Sequence, residues 1–278
     1  MLQLKTIAMA RAADLGDTTM KRLRVMCAVA TGALMAVSAM ADATQDLLTQ
    51  IKTHKFGDSR VPLIQAEAWV QSVLDNPDES RGLANLFADT LDDADATFDG
   101  KQFACRQLAL IGSAEHVPAL APLLGEESTA NAARFALERI PGSAVDAALL
   151  DALDETVGAV RIGIVNTLGD RRTEEAVKPL AKLVLHQDKA TSDAAVAALG
   201  RIGAPAAKVL FKLRRKTSFR TDHATLVACE DLVRTGNVEL ARKIYRHLSN
   251  MFTLEQHDDS VAEAARIGLS GVETHLKM

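Results

Sequence analysis

Aromatic residues are nearly missing from this chain: one Trp, one Tyr and eight Phe make up 4% of 278 residues. That excludes a nucleic-acid platform built on base stacking and argues against sheets, whose strands favour aromatic and β-branched residues. Cysteine is as scarce. The three cysteines form no C-x-x-C pair and no C-x-x-C-H run, so neither a thiolate zinc site nor a haem attachment is available. The seven histidines share no helical face, and H-E-x-x-H, G-x-S-x-G, phosphate-loop and dinucleotide patterns are all missing. No catalytic residue, metal ligand or cofactor site is therefore assigned. What remains is a chain rich in Ala and Leu, 48% hydrophobic, which is enough apolar surface for a core and points to an all-α protein.

The N-terminal segment stands apart. From Met20 the sequence runs Lys21, Arg22, Leu23, Arg24, then an apolar stretch from Val25 to Val37, then Ser38, Ala39, Met40 and Ala41. A charged start, a short apolar run and an A-x-A site describe a secretory signal peptide cleaved before Asp42. The run is short for a membrane span, so the expected mature chain is periplasmic or secreted and carries no integral membrane segment. The alternative is an anchor that stays on. Residues 1–19 suit neither a signal nor a domain and are read as non-structural. Cys105 and Cys229, which remain after cleavage, are read as small buried apolar residues.

Internal self-similarity is the strongest signal. Ala104-Cys-Arg-Gln-Leu-Ala-Leu-Ile-Gly112, Ala132-Ala-Arg-Phe-Ala-Leu-Glu-Arg-Ile-Pro141, Arg161-Ile-Gly-Ile-Val-Asn-Thr-Leu-Gly169 and Ala194-Ala-Val-Ala-Ala-Leu-Gly-Arg-Ile-Gly203 superpose. Leu108, Leu137, Val165 and Leu199 share one position. Ile111, Ile140, Leu168 and Ile202 share another three residues on, so each pair lies on one helical face. A second amphipathic stretch follows each turn, at Val117–Leu124, Val145–Leu153, Ala176–Leu185 and Ala206–Leu213. A weaker fifth copy spans Leu226–Gly236 and Val238–Leu248, and a sixth begins near Val261. The expected layout is a helical cap at 42–98, with Asn76-Pro77 breaking it, and an α-solenoid of five to six two-helix repeats at 99–278.

The Leu-Gly turn followed by Ala-Val-x-x-Leu, as in Asn166-Thr-Leu-Gly-Asp170 through Ala176-Val-Lys-Pro-Leu180, resembles the short HEAT repeats first associated with phycobilisome lyases. Ala133-Arg-Phe-Ala-Leu-Glu-Arg-Ile-Pro141 and Ile164-Val-Asn-Thr-Leu-Gly169 also resemble repeat regions of exported bacterial proteins. The resemblance implies an α-α superhelix used as a protein-binding, armadillo-like scaffold. It also leaves open a lyase-like enzyme or enzyme-accessory subunit. In that family, arginines such as Arg134 and Arg161 tie one repeat to the next, the role expected of them here. Glu115-His116 reverses the His-Glu order of HEAT-type iron hydroxylases, so His116 is read as a surface histidine near a turn.

Asp95-Ala-Thr-Phe-Asp-Gly100 opens like a calcium loop, but its twelfth position is Arg106 where a carboxylate is required. Asp99 is instead expected to cap the helix starting near Lys101.

Charge is unevenly spread. Residues 42–170 hold nine basic and 21 acidic groups, net −12, whereas residues 171–278 hold 18 basic and 13 acidic groups, net +5. The basic groups cluster on second helices: Lys178 and Lys182, then Lys208, Lys212 and Arg215, then Arg242 and Arg246. If second helices line the concave face, these side chains form a positive groove for an acidic protein or an anionic polysaccharide. The other reading is a set of solvated faces balancing nearby carboxylates. Nucleic acid is not an expected partner, since the exported chain is acidic and lacks stacking residues.

Overall fold

The computed structural model describes residues 42–217, 220–250 and 259–275, in which fourteen α-helices and no strand occur. The signal-peptide reading falls outside those residues. In chain order the helices are α1 (42–52), α2 (Val61–Val73), α3 (Pro77–Asp92), α4 (Phe98–Ile111), α5 (Val117–Leu120), α6 (Ala130–Arg139), α7 (Ser143–Glu155), α8 (Gly158–Asp170), α9 (Val177–Leu183), α10 (Lys189–Ile202), α11 (Ala207–Leu213), α12 (Asp222–Arg234), α13 (Val238–Ser249) and α14 (Asp259–His275). First helices α4, α6, α8, α10 and α12 alternate with second helices α5, α7, α9, α11 and α13.

The apolar pairs that defined the repeat are what the solenoid buries. Leu108, Leu137, Val165 and Leu199 are fully buried, as are Ile140, Leu168 and Ile202 to within 1%. Only Ile111 is partly exposed. Each second helix turns on one buried residue, Leu120, Leu149, Leu180, Leu210 or Ile244 in turn. Positions four before and four after it fall on the same face and point inward too. Those positions are apolar with two exceptions. His116 stands four before Leu120 and Arg214 four after Leu210, and both are 2% exposed.

The two layers are not equally spaced. At each junction the first helices pack more closely than the second helices do. Gly169 on α8 shows how: a Cβ there would lie 2.7 Å from the Ala198 Cα on α10, so a larger side chain would push the helices apart. The Ala- and Gly-rich first helices form the tighter layer because little side-chain volume separates them.

Arginines tie the repeats together. Arg134 donates to Thr167 Oγ1 across one repeat at 3.0 Å, as expected. Arg161 makes no such tie, and its Nε is buried without a partner. Arg171 carries more of the load. Its guanidinium donates to the backbone carbonyls of Leu137, Ile140 and Gly142, the end of α6 and the turn after it, and pairs with Asp146 at 2.8 Å. Arg201 pairs with Asp170 at 2.7 Å and Arg220 with Asp193 at 2.7 Å. Arg214 and Asp222 form a buried two-pronged pair at 2.9 and 3.0 Å.

Arg172 is the one non-glycine with positive φ among the described residues, at 57°. The chain leaves α8 with Arg172 N bonded to Gly169 O and Thr173 N to Leu168 O, the pattern that normally places Gly at this position. The end of α12 repeats the pattern with Gly236, φ 84°. Arg172 occupies the strained conformation while reaching Asp231 at 2.6 Å.

At the N-terminal end, Asn76 accepts from Glu79 N and starts α3 at Pro77. Phe87 packs edge-to-face on Phe103, ring centroids 6.1 Å apart, which joins α3 to the first repeat. The cap of α4 is Thr97, whose Oγ1 accepts from Gly100 N at 3.0 Å. Asp99 is not the cap: it lies in the first turn and accepts from Phe56 N at 2.8 Å. Cys105 and Cys229 are free and buried, and burial pushes both thiols up to about 12.

Candidate functional site

Helical geometry turns the second helices into a regular display of charge. A residue two positions from the buried Leu is rotated by roughly 200°, so residues at −2 and +2 both face outward and lie roughly 40° apart. Around Leu180 these are Lys178 and Lys182, around Leu210 they are Lys208 and Lys212, and around Ile244 they are Arg242 and Arg246. Three consecutive second helices thus present the same cation pair at the same register. In the preceding repeats those positions hold Pro118 and Pro122, then Ala147 and Asp151. The ladder begins where the net charge of the chain changes sign.

Five members of the face are exposed and unpaired. Lys178, Lys182, Lys208, Lys212 and Arg215 make no ion pair or hydrogen bond among the described residues. Arg242 pairs with Glu239 at 2.7 Å and Arg246 with Glu273 at 3.5 Å, so the far end of the ladder is partly neutralised. Arg214, in the same basic run, is buried against Asp222 and takes no part. The local positive field acts on His247, whose pKa is lowered first by burial and then by Arg214 and Arg215. Its ring stacks edge-on against Phe211 at 5.1 Å.

Lys208 also borders a cleft of about 590 Å³ between the turns of three repeats. Arg172, Glu174, Asp231 and Arg234 line it. Asp231 accepts from Ala204 N at 2.9 Å and pairs with Arg172 and Arg234. Burial opposes its charge, but these partners outweigh it and hold the carboxyl at about 2. The cleft's central acid is thereby committed to holding three repeats in place.

His116 is not a surface residue. Ser113 N donates to its Nδ1 at 3.0 Å, which leaves Nε2 to donate to Asn85 Oδ1 at 3.1 Å. The ring fastens the first repeat to α3. His116 and His186 line none of the four described cavities. Among the described residues no three His, Cys, Asp or Glu side chains converge as a metal site would require, and no single helix is long and apolar enough to cross a membrane.

A family model for HEAT repeats matches residues 147–228. No curated protein matches the chain. Among solved structures, an engineered protein from the Northeast Structural Genomics Consortium is similar at 19% identity and a TM-score of 0.39, covering 86% of this chain and 71% of its own. The matched segment runs from α7 into α12 and contains the register derived above, within an all-α solenoid of two-helix repeats.

Proposed function

We propose that this protein is a non-enzymatic, exported interaction scaffold that binds an acidic segment of a partner protein along its second-helix layer. One observation carries the reading: cations recur at the same two outward positions on three consecutive second helices, and those of the first two have no internal partner. Neighbouring helices in such a stack lie about 8–10 Å apart. A polyproline II chain advances about 3.1 Å per residue with three residues per turn, so acids spaced three residues apart share one face and would meet successive helices in step.

The test is fluorescence anisotropy with a labelled peptide carrying Glu at every third position, in about 0.1 M and about 1 M salt. Exposed charge contacts are screened as the Debye length falls from ~10 to ~3 Å. Binding at low salt that weakens at high salt, and is lost in Lys178→Gln/Lys182→Gln/Lys208→Gln/Lys212→Gln, supports the reading. Equal binding of wild type and variant contradicts it. Preference for an anionic polysaccharide over the peptide replaces the partner class. Export through residues 20–41 predicts a secreted species whose N-terminal residue is Asp42, read by N-terminal sequencing.

A further inference from the structure

We infer that the N-terminal end of the solenoid holds a second, independent site, one for a small monocarboxylate with an apolar or aromatic body. The loop between α1 and α2 and the face of α4 enclose a cavity of about 620 Å³, within the usual size range of small-molecule sites. The loop is pinned on both sides of its tip. Lys55 N donates to Asp58 and Phe56 N to Asp99, each at 2.8 Å, while Thr97 Oγ1 donates to His54 O. Gly100 lets the end of α1 close onto α4, for a Cβ there would lie 2.4 Å from Lys52 O. This fixed loop carries Phe56 97% exposed at the cavity rim. An apolar ring held in water by a fastened loop is an unused contact surface.

The cavity lining is polar and unsatisfied. His54 is 9% exposed and its ring nitrogens have no hydrogen-bond partner among the described residues, so the ring can supply an N–H to a ligand carboxylate. Gln107 beside it is 4% exposed, but its buried, unbonded Oε1 only accepts and takes no bond from a carboxylate. Charge selects the ligand class. Arg60 and Arg106 both line the cavity without an ion pair, and a guanidinium fork matches a carboxylate. Asp58 and Asp99 are engaged by the loop amides. Glu67 alone is a free acid at the rim, which disfavours a second negative charge on the ligand.

Titration of the full chain with phenylpropionate, followed by the ring signal of isotope-labelled His54, tests the site. The expected result is a saturable shift, with phenylpropanol at least about tenfold weaker. Arg60→Gln/Arg106→Gln should weaken the carboxylate by about tenfold or more with unchanged circular dichroism, and Phe56→Ala should weaken both probes. The four-lysine variant of the second helices should bind phenylpropionate normally, which separates this site from the basic face. No saturable shift, equal binding of acid and alcohol, or full binding by the double arginine variant overturns the inference.

Discussion

Two sets of cations in this protein do opposite things. Most arginines of the first helices and their turns are consumed internally: Arg134, Arg171, Arg172, Arg201 and Arg220 each reach another repeat, whereas Arg106 and Arg161 do not. Lysines 178, 182, 208 and 212 on the second helices reach nothing among the described residues. The difference follows residue chemistry. A planar fork can hold several carbonyls and a carboxylate at once, as Arg171 does, whereas an ammonium on a flexible stem stays hydrated unless a partner arrives. Structural cations are thus arginines at the seams, and available cations are mostly exposed lysines on the second helices.

This division can be broken from the structural side first. Arg214→Ala leaves Asp222 buried and unpaired, a loss of about 3–5 kcal/mol in denaturant unfolding. Replacing both partners with Leu should recover most of it, because the equivalent position is already Leu124, Leu153, Val184 or Leu248 in the other repeats. Arg171→Ala should cost about 2–3 kcal/mol by the same measurement, since it uncaps α6 and strips Asp146 of its partner.

Acid sharpens the comparison through Asp231. Its folded pKa of about 2 lies below the ordinary 3.8, so the stability it contributes is full above about pH 4 and is lost as pH falls toward 2. The amount is about 2 kcal/mol. Asp146, also lowered against the cost of its burial by Arg171 and Thr173, adds to the same slope. Unfolding across that range should therefore be steep for wild type and flatter for Asp231→Asn. An unchanged slope would deny that the turn network binds the repeats together.

Much of the fold was legible because the repeat is written in apolar spacing. The turn residues, the paired positions such as Leu137 and Ile140, and the second helices all stand where their periodicity places them. The misreadings have local physical causes. His116 looked like a surface residue by type, yet it occupies an inward position of its helix, and aligning it with Ala176 and Ala206 would have revealed this. Asp99 looked like a cap, but Thr97 precedes it and takes the role, leaving Asp99 free to hold the Phe56 loop. The ladder's residues were visible in sequence; that five of the seven are unpaired was not, because a partner can lie on another helix, as Glu273 does for Arg246.

The smallest expected effect on stability belongs to the lysines, and it accompanies the largest expected effect on binding. The most direct measurement therefore pairs denaturant unfolding with peptide anisotropy on the Lys178→Gln/Lys182→Gln/Lys208→Gln/Lys212→Gln protein. The account predicts stability within about 0.5 kcal/mol of wild type per site and loss of salt-sensitive binding to the acidic peptide. A variant that unfolds easily, or one that binds the peptide as wild type does, would contradict it.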